Sequence, residues 1–331
     1  MVENERIAVQ FNHVQKEFAD QMVLTDLNLT IPADEIFVLV GPSGSGKTTT
    51  LKMINRLEDP SAGEITYFGR PVADYPLQEL RWSIGYVLQH IALFPNMTVA
   101  ENIAVIPEMK KMAKTKIQSR TTELLAAVDL PAAEYAQRYP HELSGGEAQR
   151  VGIVRALAAD PGMILMDEPF SALDPLSRKQ LQELILRLQA KLHKTIVFVT
   201  HDMHEALKVG DRIAVMHNGV IHQVGTPADI QQHPATSFIA DFFAGAEVGH
   251  VVWADTLTQV LASGVLPQTT QAPTTQITAH TSVAAIAPRL GNGETLAVKN
   301  PLDGHTYQLD AAGLLKYIVA VHTSSDSEGV H

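Results

Sequence analysis

The residues Gly41-Pro42-Ser43-Gly44-Ser45-Gly46-Lys47-Thr48-Thr49 fit the spacing G-x-x-x-x-G-K-[ST]. In that pattern the glycines let the backbone curl around phosphate groups and turn several N–H donors inward. The chemistry it describes is triphosphate binding. Lys47 would bridge the β- and γ-phosphates and Thr48 would ligate Mg²⁺, while a helix starting near Gly46 would add its positive dipole end. Further along, Met163-Ile-Leu-Met166-Asp167-Glu168-Pro169 sets two carboxylates directly after an apolar run. Asp167 can hold a Mg²⁺ shell there, and Glu168 can orient and deprotonate an attacking water. Taken singly, each segment also has a plain reading, as a glycine-rich turn without a ligand or an Asp-Glu-Pro turn after a core strand. Together they describe nucleotide hydrolysis.

Such residues need rigid elements to aim them. Glu35 to Val40 is a short apolar, β-branched run that ends at Gly41, and helical spacing follows from Gly46, so the loop joins a buried strand to a helix. Met163 to Met166 and Thr195 to Thr200 read as two more buried strands, with a helix over Arg178 to Leu192 between them (Leu181, Leu184, Ile185, Leu188). Upstream, Ile7 to Val14 and Leu27 to Ile31 alternate apolar and polar residues, as half-buried antiparallel strands do. Residues from about 98 to 160 are mostly helix-like, punctuated by Pro131 and Pro140. The expectation is an α/β domain over 1–245, with a helical insertion at about 90–160.

The texture changes near residue 245. Residues 246–282, which include PQTTQAPTTQ, read as a connecting segment, and 283–331 as a small α/β unit. That unit would hold a helix-like VAAIAPRL, a strand-like TLAVKN, a turn at Pro301 to Gly304, and a helix from Ala311 to Val319 capped by Asp310. Met1 to Glu5 and Ser324 to His331 read as frayed ends.

Composition narrows the function classes. With 25 Lys and Arg against 36 Asp and Glu, the formal net charge of -11 disfavours a nucleic-acid binder. The absence of cysteine excludes disulfides, thiol catalysis and Cys-ligated metals. At 45% apolar residues the chain can build large cores, yet no 18 consecutive apolar residues occur. The start, MVENERIAVQ, lacks a basic-then-apolar leader pattern. A cytoplasmic globular protein is expected.

A third motif joins the first two. Leu143-Ser144-Gly145-Gly146-Glu147 precedes a helix (Ala148 to Ala159) and offers a hydroxyl, exposed glycine N–H groups and a helix N-terminus. Alone it is an N-cap. In order with the two phosphate motifs, it resembles the signature motif of ATP-binding-cassette (ABC) ATPases, over roughly residues 5 to 245. The resemblance implies a P-loop cassette fold with a mixed sheet core, an antiparallel β subdomain and the helical insertion. It also implies ATP and Mg²⁺ as ligands, and a homodimer closed head-to-tail in which Ser144, Gly145 and Gly146 meet the other subunit's ATP. By the same resemblance Phe18 stacks on adenine, Gln89 touches Mg²⁺ and water, Asp174 crosses the dimer interface, and His201 senses the γ-phosphate. Thr48, Gln89 and Asp167 would be the metal ligands. One position departs from the pattern: Glu147 stands where the family commonly has Gln, which implies weaker binding in trans or another hydrogen-bond arrangement.

A single acidic cassette without a coiled coil favours a transporter subunit on the cytoplasmic face of the membrane. It would be peripheral there through transmembrane permease subunits, and served indirectly by a substrate-binding protein. Phe94-Pro95, Met97 and Val99, just after Gln89, read either as a contact surface for the permease or as internal packing. The stretch Ile91 to Ile117 resembles the ATPases of quaternary-amine osmoprotectant importers, those for glycine betaine, carnitine or choline. ELSGGEAQRVGIVRALAADPGMILMDEPFSALDPLSR fits the same group less exclusively. Members often carry a tandem pair of CBS modules after the cassette, and the tail from about Thr278 to Val321 resembles one of them, as a regulatory or dimerisation unit. An importer of another cargo (sugar, amino acid, anion) and a soluble non-transport ABC ATPase are the alternatives.

Overall fold

The computed structural model describes residues 6–19, 21–89, 92–171, 173–243, 256–264, 266–267, 276–277, 281–291, 293–300 and 305–317. Ile7–Phe18 (β1) and Gln21–Pro32 (β2) are long, alternating strands paired antiparallel, with Phe11 opposite Leu29. Ala62–Tyr67 (β4) adds to the other side of β1, and Arg70–Pro71 (β5) to β4, which gives the sheet order β2-β1-β4-β5. Their inward side chains, among them Phe11, Leu29, Ile31 and Ile65, build one apolar core with Phe37, Leu51, Leu165 and Val197 of the neighbouring layer.

Ile36–Val40 (β3), Met163–Asp167 (β7) and Thr195–Thr200 (β8) are buried at every position, as parallel strands covered on both faces must be. With Ile84–Val87 (β6), Arg212–His217 (β9) and Val220–Gly225 (β10) they form the second sheet, in the order β10-β9-β3-β8-β7-β6. All pairs are parallel except β10 with β9.

Helices wrap this layer and build the insertion. Lys47–Ile54 (α1) follows the glycine-rich loop, and Leu77–Ser83 (α2) leads into β6. Val99–Met109 (α3), Lys114–Ala127 (α4), Ala132–Tyr135 (α5) and Gly145–Ala158 (α6) occupy the expected helical insertion. Pro175–Leu192 (α7), Met203–Val209 (α8) and Pro227–Gln232 (α9) complete the set. Among the described residues, no helix is long and apolar enough to cross a membrane.

The chain divides into two compact units, Met1–Ala240 and Asp241–His331. The second has its own core of Leu257, Val260, Leu261, Val283, Ile286, Leu296, Val298 and Leu309. Gln276–Ile277 (β11) runs parallel to Leu296–Lys299 (β12), which pairs antiparallel with Thr306–Leu309 (β13). A helix at 311–317 begins after Asp310, whose Oδ1 accepts the Gly313 N–H at 2.7 Å, as a cap does. Part of the expected connecting segment 246–282 belongs to this core: Leu257–Ala262 is a helix, and Leu257, Val260 and Leu261 share one of its faces. Ile91, Ala172, the turn Pro301 to Gly304, the last residues of the Ala311 to Val319 helix and both expected frayed ends lie outside the described residues.

The fully buried Leu257 supplies the sharpest check on that helix. Leu257→Ala should lower the stability of the second unit by about 2–5 kcal/mol. Hydrogen exchange at residues 283–290 should report that loss, whereas unchanged protection would return the helix to the connecting segment.

Candidate functional site

In the parallel sheet Val40 lies opposite Thr200, Val199 opposite Asp167, and Met166 opposite Val87. The glycine-rich loop, the Asp167–Glu168 pair, His201 and Gln89 therefore all emerge at one carboxyl edge. Backbone contact holds the loop there. A Cβ on Gly41 would stand 1.9 Å from the Met216 carbonyl oxygen, so only glycine fits against β9. Gly46 adopts φ 101° just before α1, in the left-handed region that glycine enters without strain. Ser43 and Gly44 are exposed at the loop's apex, while Pro42 and Thr49 are half-buried.

Lys47 folds back into its own loop. Its Nζ donates to the carbonyls of Gly41 and Pro42 at 2.8 Å each, and to Ser45 Oγ at 3.3 Å. Burial pushes the ammonium's pKa down, and the charges of Glu168 and Asp167 oppose that shift. Beside it, Thr48 Oγ1 donates to Asp167 Oδ1 at 3.0 Å. Burial pushes the Asp167 carboxyl up, against the Thr48 hydrogen bond. Two hard oxygen donors this close suit a small divalent cation such as Mg²⁺. Among the described residues, no group of three or more His, Asp or Glu side chains is placed to hold a metal ion by itself.

Glu168 is the hub. Its backbone has φ 44°, a conformation costing about 1–3 kcal/mol for a non-glycine residue. The Glu168 N–H continues the ladder to the Val199 carbonyl at 3.1 Å, and the Glu168 carbonyl accepts from Ser171 Oγ at 3.1 Å. The turned backbone aims the carboxylate between two partners. Gln89 Nε2 donates to Oε2 at 3.2 Å, and His201 Nδ1 lies 3.2 Å from Oε1. A carboxylate held on both sides, with the Lys47 ammonium nearby, can orient water and take its proton.

Three further positions have partners of their own. Phe18 is 40% exposed, and the Lys16 ammonium sits 4.4 Å from its ring centroid. Asp174 caps α7, with Oδ1 accepting the N–H groups of Leu176 and Ser177 at 3.1 Å. Ser144 caps α6 in a reciprocal box: the Glu147 N–H donates to Ser144 Oγ at 3.3 Å, and the Ser144 N–H to Glu147 Oε2 at 2.7 Å. Gly145 and Gly146 follow in the first turn: an added Cβ on Gly145 would meet open space, and one on Gly146 would only touch Ser177 Oγ at 3.6 Å.

Sequence reasoning missed Tyr135, whose hydroxyl donates to Glu147 Oε1 at 2.7 Å, and Ser171, which pins the turn at Glu168. No local pattern marks either residue. The stretch after Gln89 divides between its two readings. Val99 is fully buried, whereas Phe94 is 44% exposed and lines a groove of about 410 Å³ with Trp82, Leu88 and Arg155.

Residues 24–171 match the family model described as ABC transporter. Over 219 residues the chain is 54% identical to the choline transport ATP-binding protein OpuBA of Bacillus subtilis, a match covering 66% of this chain and 57% of that protein. The chain thus spans little more than half of that relative's length. It is 46% identical over 241 residues to the glycine betaine uptake system ATP-binding protein YehX of Escherichia coli, covering 73% of this chain and 78% of the relative. Among solved structures, the dimeric, post-hydrolysis ATP-binding cassette MJ0796 bound to ADP and Pi aligns at TM-score 0.59 and 33% identity, covering 66% of this chain and 98% of that one.

The Lys47 geometry predicts that Lys47→Ala, which leaves the Gly41 and Pro42 carbonyls without their cation, weakens ATP binding by about tenfold or more. Titration with a fluorescent ATP analogue measures it, and unchanged affinity would remove Lys47 from phosphate binding.

Proposed function

The chain belongs to the ABC transporter family, and from that premise we propose that it is the ATP-hydrolysing subunit of an importer for quaternary-amine osmoprotectants such as glycine betaine, carnitine or choline. The observation that carries the ATPase part is Glu168, held between Gln89 and His201 beside Lys47 and Thr48 at the sheet's carboxyl edge. The cargo rests on resemblance to relatives named for choline and glycine betaine transport.

In this reading Lys47 exchanges its loop carbonyls for the β- and γ-phosphate oxygens, a charge-assisted and therefore stronger set of bonds. The loop's N–H groups and the start of α1 hold the same phosphates. Mg²⁺, when bound, neutralises charge on the phosphate oxygens, and Thr48 and Asp167 are the residues that would hold it, with Gln89 beside them. Glu168 takes the proton of the attacking water, and His201 fixes the carboxylate's orientation and faces the γ-phosphate. Phe18 offers its ring to adenine. Ser144, Gly145 and Gly146 turn a hydroxyl and free N–H groups towards the ATP of a second copy, with Asp174 crossing between the copies, so that ATP closes a head-to-tail homodimer.

Closure must then be passed to a membrane part supplied by other chains. The groove of Trp82, Leu88, Phe94 and Arg155 lies next to Gln89 in sequence and space, and offers an apolar floor to a permease helix. A substrate-binding protein would act indirectly, and the subunit would sit at the cytoplasmic face of the membrane. The second unit is assigned as one CBS-like regulatory or dimerisation module, supported by its separate core and its mixed three-stranded sheet.

Two measurements test the reading. Glu168→Gln should lower ATP turnover by about 10²–10⁴-fold while trapping an ATP-bound dimer on size exclusion; turnover at the wild-type rate would remove Glu168 from its role. Uptake of labelled glycine betaine, choline and carnitine should fall for at least one cargo when Lys47→Ala replaces the wild-type chain. Equal uptake of all three would sink the cargo assignment and leave the ATPase intact.

A further inference from the structure

A buried carboxyl group behind His201 takes no part in the steps above. Glu205, on α8, is 5% exposed. Its Oε2 accepts from Thr200 Oγ1 at 2.6 Å, and that same hydroxyl oxygen accepts the Asp202 N–H at 3.0 Å. Glu205 thereby grips both residues that flank His201 in sequence.

Its other oxygen faces α7. Glu205 Oε1 lies 3.8 Å from Arg178 Nε, beyond hydrogen-bond range. That Nε is buried and has no hydrogen-bond partner. Elsewhere on the same guanidinium, Nη1 stands 3.8 Å from Asp202 Oδ2, and Nη2 donates to the Leu173 carbonyl at 3.4 Å. Leu173 immediately precedes Asp174. One cation therefore spans the loop that carries Asp174 and the loop that carries His201, with its inner donor one short movement from a carboxylate. An orphaned buried donor is unfavourable enough that closing this gap is the relaxed arrangement.

We propose that Arg178 and Glu205 form a positioning pair, which closes when dimerisation on ATP moves the Asp174 loop and which thereby sets His201 against Glu168 for hydrolysis. This inference rests on the ATPase reading of the site. Neither residue touches the reacting atoms; both act through Thr200, His201 and Leu173.

The pair gives hydrolysis a pH signature. Burial pushes the Glu205 carboxyl up to about 7; the Thr200 hydrogen bond and the charges of Arg178 and His201 hold it down, and Asp202 pushes it further up. Those charged groups face it from α7 and from its own loop. Below about pH 7 the carboxyl is protonated and the ion pair is weakened; above it the carboxylate draws Arg178 in. Turnover should therefore rise with pH through this range, and the part of the rise owed to Glu205 should vanish in Glu205→Gln, which keeps an acceptor for Thr200 without a charge.

The experiment is ATP turnover by the full chain from pH 5.5 to 8.5, for wild type, Glu205→Gln, Arg178→Lys, the double variant and Glu168→Gln. At pH 8, each single variant should lose about tenfold in kcat, with KM for ATP unchanged within about twofold, and the double variant should lose no more than either single one. Arg178→Lys keeps the charge and removes Nε, so it tests the pair even where Glu205→Gln folds poorly. Additive losses, a wild-type kcat in Arg178→Lys, or an unaltered pH limb in a folded Glu205→Gln would each overturn the pair. Glu168→Gln separates the two levels of argument. If it is inert while the Arg178 and Glu205 variants match wild type, only the pair falls. If it turns over ATP normally, Glu168 loses its role as base, and the pair that sets His201 against it falls too, while absence of ATP turnover in the wild-type chain itself would sink the ATPase reading.

Discussion

In a parallel sheet every strand presents its carboxyl end to the same edge, and here β3, β8 and β7 do so in register, with Val40 beside Thr200 and Val199 beside Asp167. The residues that follow those strands cannot avoid one another. The loop from Gly41, the carboxylates at 167 and 168, and His201 start from three neighbouring strand ends, and β6 brings Gln89 to the fourth. The apolar burial that fixes the register is therefore also what assembles the chemistry, because each of β3, β7 and β8 is buried along its whole length. A slip of one residue would turn every side chain to the opposite face of the sheet.

Charge balance works inside that frame. Lys47 donates to two loop carbonyl oxygens, with Asp167 and Glu168 nearby, so the loop's cation is balanced by backbone dipoles on one side and carboxylates on the other. The oxygen pair Thr48–Asp167 and the Glu168 carboxylate divide the work by geometry. Asp167 ends a strand and bonds to the loop, whereas Glu168 sits on a turned backbone at φ 44° and points to Gln89 and His201. Two adjacent carboxylates acquire different neighbours because the chain direction changes between them.

Much of this was legible in the sequence because the motifs are local. The glycine loop, the strand ending at Asp167, the helix after Ser144 and the strand before His201 are each contained within a few residues. β4, β9 and β10 were not legible, since β4 and β10 are partly exposed and β9, as long as β8, precedes no motif that marks it. The helix at Leu257–Ala262 was hidden by its setting beside the Thr-, Gln- and Pro-rich stretch, although its apolar residues have helical spacing. Tyr135, Arg178 and Glu205 needed the tertiary structure: each matters through a partner distant in sequence or behind a loop, and nothing in its own neighbourhood marks it.

Glu147 shows how such a partner changes the meaning of a substitution. A carboxylate facing another subunit's nucleotide would repel phosphate, and the sequence alone leaves that reading open. In the fold its Oε1 accepts from Tyr135 and its Oε2 from the Ser144 N–H, and these bonds, Tyr135's foremost, hold its carboxyl below the usual carboxylate range. The charge is thus kept, but it faces α5 and the backbone of its own helix. At the third position of α6 a negative charge also complements the helix dipole. Gln at this position would accept the same two hydrogen bonds through its carbonyl oxygen only one at a time or by sharing, so Glu secures the turn that presents Ser144, Gly145 and Gly146 more firmly. Some of the positive potential of the α6 N-terminus is given up in return, which makes order at this turn, rather than attraction for phosphate, the quantity that the residue at 147 serves.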